Sequence, residues 1–126
     1  MAKKIAIAAL VLFLILFAVI QGRYINSTYD ELSGAADNIG LNLEKKDLQQ
    51  TNNSIDEFGS IWEENSDIWM TLMLHEHVDS VYKNYLLMKE FAREGDLKNA
   101  AVYLQQLQYS LRDVNDLDQL NVKNIF

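Results

Sequence analysis

Two patterns of apolar residues divide the chain. Residues 5 to 20 read Ile-Ala-Ile-Ala-Ala-Leu-Val-Leu-Phe-Leu-Ile-Leu-Phe-Ala-Val-Ile, without a polar side chain. Beyond residue 24 the apolar positions recur every three or four residues, the period of an amphipathic helix. Lys4 and Arg23 bracket 18 uncharged residues, 12 of them Leu, Ile, Phe or Val. As a helix rising ~1.5 Å per residue, this segment spans about 27 Å, close to the ~30 Å hydrocarbon core of a bilayer. The pattern predicts a transmembrane helix over residues 5–22.

The same start, basic residues and then an apolar run, also opens a secretory signal peptide. Two features favour an uncleaved anchor. The run exceeds the ~7 to 15 residues usual for a signal peptide core. No pair of small residues follows it: Ile20 stands two before Gly22, and Ile25 two before Ser27. With no cysteine, a lipid-modified anchor is excluded. Lys3 and Lys4 outweigh Arg23, so the positive-inside rule puts residues 1–4 in the cytoplasm. The expected location is a cell membrane crossed once, with the remainder extracytoplasmic and the lipid bilayer contacted through residues 5–22.

The polar part is periodic with an internal offset of 49 residues. Leu32, Ala36, Ile39 and Leu43 are matched by Val81, Tyr85, Met88 and Ala92. Charged breaks follow both sets, Glu44-Lys45-Lys46-Asp47 and Arg93-Glu94-Gly95-Asp96. Asp47 and Asp96 are placed to accept the orphan N–H groups of the next helix. Leu48, Thr51, Ile55, Phe58 and Trp62 then correspond to Leu97, Ala100, Leu104, Leu107 and Leu111. Helices are expected at about 27–45, 47–73, 79–94 and 96–115, the first either separate from the span or continuous with it. Gly95 is expected to be the left-handed residue that ends the third.

The fold class is therefore all-α: a transmembrane helix followed by a small antiparallel bundle of two αα-hairpins over 24–115. The stretch Gly95-Asp96-Leu97 and the alanines and leucines after it resemble a tetratricopeptide-type hairpin, though the offset exceeds that repeat's ~34 residues. Residues 116–126 lack a clean period and are expected to form a tail, with Ile125 and Phe126 docking on the bundle or on a partner.

Charge narrows the partners. All 18 Asp and Glu fall after residue 23 against 8 Lys and Arg, a balance of −10. No basic stripe is present to neutralise phosphates, so no nucleic-acid partner is expected. The absence of proline and the presence of only five glycines favour helix over a loop-rich fold.

Candidate chemistry is sparse. His75, Glu76, His77 and Asp79 cluster, but helical residues two apart point about 200° from each other and cannot share a metal. At a turn, His75, His77 and Asp79 could meet one ion, which leaves a metal-responsive sensor as an alternative function. The competing reading makes Asp79 the cap of the third helix, with a histidine at the end of the second. Glu63, Glu64 and Asp67 could serve a hydrolase only if buried. The serines lack a nucleophile-elbow sequence, and no glycine-rich phosphate loop is present. Trp62 and Trp69, seven apart, share a face that reads as core or as an interaction platform. Asn26 and Asn52 head glycosylation-like triplets, a common chance pattern. No enzymatic activity and no cofactor is expected.

Trp62, the stretch from Leu72 to Asp79, and the closing Leu120-Asn121-Val122-Lys123-Asn124-Ile125-Phe126 resemble a bacterial family known as domain of unknown function 4363, over nearly the whole chain. Its members are short, mostly Gram-positive proteins with a lysine-flanked span and a helical remainder. Their central stretch is similar to His-Glu-Glu-Ile-Asp, so His75, Glu76 and Asp79 match while His77 replaces an acid. The resemblance implies no activity. It hints at a partner among small membrane proteins. The expected function is a membrane-anchored accessory or interaction protein, with Trp62, Trp69, His75, Glu76, Asp79, Ile125 and Phe126 as candidate contacts for a membrane or envelope partner.

Overall fold

A computed structural model describes the backbone of residues 1–125 and the side chains of residues 1–116. It contains four helices: α1 (Ala2–Glu44), α2 (Leu48–Leu72), α3 (His75–Arg93) and α4 (Leu97–Ile125). The first runs unbroken for 43 residues, about 65 Å at ~1.5 Å per residue. The expected apolar span and first bundle helix are thus one rod. Gly22 is a single weak helix former, worth ~1 kcal/mol, and no proline interrupts the segment.

Each helix packs against two others. α3 lies most closely on α4 and α1 on α2, while α1 also touches α4 and α2 touches α3. Among the described residues, the backbones of neither diagonal pair, α1 with α3 or α2 with α4, come close together. This ring is the antiparallel bundle that short connections favour. It gives no support to a tetratricopeptide-type stack.

The core is built from the matched positions. Leu32, Ala36, Ile39, Leu43, Val81, Tyr85, Met88 and Ala92 are all buried, as are Thr51, Ile55, Phe58, Trp62, Ala100, Leu104, Leu107 and Leu111. The exceptions are Leu48, which is exposed, and Leu97, which is half-buried. The helix ends repeat as well. The Asp47 carboxylate accepts from the Gln50 N–H at 3.1 Å, and that of Asp96 from the Asn99 N–H at 3.2 Å. Lys46 and Gly95 both adopt left-handed backbone, at φ 56° and 79°. In each turn the following aspartate N–H reaches back to a helix carbonyl: Asp47 to Asn42 at 3.3 Å, and Asp96 to Phe91 at 2.9 Å.

Two boundaries differ from expectation. α3 begins at His75, so Asp79 lies within the helix and does not cap it; the N-cap is Leu74, whose side chain makes no capping hydrogen bond. α4 continues to Ile125, so the expected tail from residue 116 is helical backbone. The docking expected of Ile125 and Phe126 falls outside the described side chains, and Phe126 outside the described residues altogether.

Candidate functional site

Among the described residues, nothing covers α1 before Gln21. Its large apolar side chains from Ile5 to Ile20 are 42–69 % exposed, and the most apolar 18-residue window of the helix has no buried residue. The helix is long and apolar enough to cross a membrane. Full burial begins at Ile25, two residues after Arg23. Along α1, burial therefore starts just past the end of the apolar rod.

Within the bundle, the lightly packed seam between α2 and α3 opens into a groove of about 310 Å³. α2 contributes Gly59, Trp62, Ser66 and Met70, which recur at helical spacing, and α3 contributes Val78, Tyr82, Tyr85 and Lys89. Aromatic rings line it. Trp62 stacks on Tyr82 with centroids 6.3 Å apart, Phe58 on Tyr85 at 5.3 Å, and Trp62 meets Trp69 edge-on at 5.9 Å. Lys89 lies over the Tyr85 ring, 5.7 Å from its centroid. Glu63, Asp67 and Asp79 supply an exposed acidic rim.

Gly59 sets the width of this seam. A Cβ there would collide with the Tyr85 hydroxyl, so the glycine lets the tyrosine lie flat against α2. Burial pushes the Tyr85 phenol above its ordinary value of 10.0, and Asp56 and then Glu63 add to the rise by opposing a second negative charge. Tyr85 is thus a neutral group at physiological pH.

The candidate residues separate on inspection. Trp62 is a wall of the groove, whereas Trp69 is wholly buried, beyond direct reach of a partner, and its indole N–H has no hydrogen-bond partner among the described residues. His75, Glu76 and Asp79 are exposed and His77 is half-buried on the first turns of α3. Among the described residues, no three His, Cys, Asp or Glu side chains gather closely enough to hold a metal ion. Glu63, Glu64 and Asp67 are all exposed, without the burial a glycosidase acid requires. Gly59, Tyr82 and Tyr85 carry the groove, and nothing in the sequence pattern marks them as site residues. The available signal was a lone glycine between Phe58 and Trp62 on an apolar helix face, which commonly has a packing reason.

The groove can accept an apolar or aromatic side chain, and its ring faces beneath carboxylates suit a cation. The model of a family described as a domain of unknown function (DUF4363) matches residues 19–125, almost the whole bundle and the end of the apolar rod. No curated protein and no solved structure matches the chain.

Proposed function

We propose that this chain, which belongs to the DUF4363 family, is a non-enzymatic accessory protein that a single transmembrane helix holds on the outer face of a membrane. The observation that carries the reading is the continuity of α1. One helix supplies both an uncovered apolar rod and a wall of a closed, acidic bundle. Exposing 12 large aliphatic and aromatic residues to water is unfavourable, and lipid relieves it at roughly −0.3 to −0.6 kcal/mol each. Lys3 and Lys4 orient that end toward the cytoplasm, which places the bundle outside.

The partner is another membrane or envelope protein, and the α2–α3 groove is the surface that meets it. Tyr82 offers an exposed ring face with the buried Trp62 ring stacked behind it, and Glu63, Asp67 and Asp79 favour a basic segment. A photoreactive amino acid placed at Leu86, on the groove, is expected to crosslink one defined membrane protein in intact cells. The same probe at Val102, exposed on α4, is expected to give none. Equal crosslinking from both positions, or none from either, contradicts a groove-specific partner.

A further inference from the structure

The two ends of the bundle differ in chemistry. At the end far from the apolar rod, the α1–α2 and α3–α4 turns read Glu44-Lys45-Lys46-Asp47 and Arg93-Glu94-Gly95-Asp96. At the near end the α2–α3 connection reads Ile68-Trp69-Met70-Thr71-Leu72-Met73-Leu74-His75, with no Asp, Glu, Lys or Arg between Asp67 and Glu76. Leu74 is 69 % exposed and Ile68 44 % exposed, and Met73 and Leu72 are only half-buried. A turn would ordinarily be polar, and leucine is a poor N-cap.

Register places this turn level with the rod. Tyr24 of α1 donates a hydrogen bond to Asn65 of α2. From there α2 descends seven residues to Leu72, about 10 Å at ~1.5 Å per residue. The same descent along antiparallel α1 ends at Phe17, inside the apolar run. The tip of the α2–α3 hairpin is therefore level with lipid-facing residues if the span occupies 5–22. Its depth below Gly22 is about five helical residues, or ~7 Å, within the ~5–10 Å that interfacial segments reach.

From this we infer that the α2–α3 tip, Ile68 to Leu74, inserts into the outer interface of the bilayer beside α1. Lipid is the second binding partner of the bundle, and the protein touches the membrane at two points. A rod alone would leave the bundle free to tilt and spin. A second contact fixes which face of the bundle looks away from the membrane, and hence where the α2–α3 groove points. Trp69, at this depth, fits the aromatic belt of membrane proteins, although here its ring is covered by the bundle. Asp67, Glu76 and Asp79 flank the tip and set a limit to how deep it enters. They also make zwitterionic lipid the preferred surface over anionic lipid. The inference rests on the anchored reading of α1.

The chain has no cysteine, so single-cysteine variants report one position each. The full-length protein is reconstituted in phosphatidylcholine vesicles with an environment-sensitive fluorophore at Leu74→Cys, Glu94→Cys or Val11→Cys. The expected result is strong quenching at position 74 by lipids carrying a nitroxide high on the acyl chain and at position 11 by lipids carrying it near the chain end, with aqueous iodide quenching position 74 several-fold less than position 94. Position 94 should respond to iodide alone. If position 11 is lipid-quenched while position 74 behaves like position 94, the insertion is overturned and the anchor stands. If position 11 also behaves like position 94, the anchor itself fails and the insertion fails with it. Leu74→Asp, an exposed substitution, is expected to restore iodide access to a fluorophore at Ile68→Cys without altering the helical circular dichroism.

Discussion

Lys46 and Gly95, 49 residues apart, hold the same left-handed backbone conformation at the same place in two helical hairpins. Glycine adopts it freely, whereas a residue with a Cβ pays roughly 1–2 kcal/mol. Lys46→Gly is therefore expected to stabilise the bundle by about 0.5–1 kcal/mol, and Gly95→Ala to destabilise it by about 1 kcal/mol. Thermal melts of the full chain in detergent, followed by circular dichroism, measure both. Shifts of the same sign would contradict the shared turn geometry.

Asp47 and Asp96 make the next matched pair. Each carboxylate accepts one first-turn N–H, so Asp47→Ala and Asp96→Ala should each cost about 1 kcal/mol. Asp79, inside α3 and exposed, has no such duty. Asp79→Ala is expected to leave the melting temperature unchanged, which separates the observed helix start from a cap at that position.

At the groove, Gly59→Ala is expected to lower stability by about 1 kcal/mol or more, because the new methyl meets the Tyr85 hydroxyl. In a Tyr85→Phe background the closest atom is gone and the ring carbon Cζ, 3.2 Å from the new methyl, is the nearest neighbour. There the same substitution should cost less than in the native chain, since alanine exceeds glycine by ~1 kcal/mol in a helix. A double-mutant cycle with no coupling energy between the two sites would show that the seam is looser than described.

Tyr85 gives a pH signature. Its folded-state value is raised, so the native state holds the phenolic proton more tightly than the unfolded chain does. The associated stability is complete below the unfolded value near 10 and is lost as pH climbs through the raised folded value. Urea denaturation across pH 8 to 11.5 should show stability falling above about pH 10, with a shallower fall in Tyr85→Phe. Identical slopes for the two proteins would contradict the burial of that hydroxyl.

Much of this architecture is legible in the chain. The three-and-four spacing of Leu32, Ala36, Ile39 and Leu43, and its echo at Val81, Tyr85, Met88 and Ala92, marks faces that the fold buries. Asp47, Asp96 and Gly95 announce the turns because caps and left-handed glycines act locally. Lys46 is silent, since a lysine advertises no backbone preference. The start of α3 is misread for a related reason. Asp79 carries the usual signal of an N-cap, whereas the true cap, Leu74, carries none. The α2–α3 groove is a tertiary property. It depends on how far two helices stand apart, which Gly59 and the ring of Tyr85 decide together.

The central claim is that α1 stays in lipid and carries the bundle beside it. Intact-mass measurement of the protein recovered from alkali-washed membranes tests this most directly. The account predicts the chain in the membrane pellet, with residues 5–22 still attached. A soluble product that begins beyond Gly22, released into the wash, would contradict it.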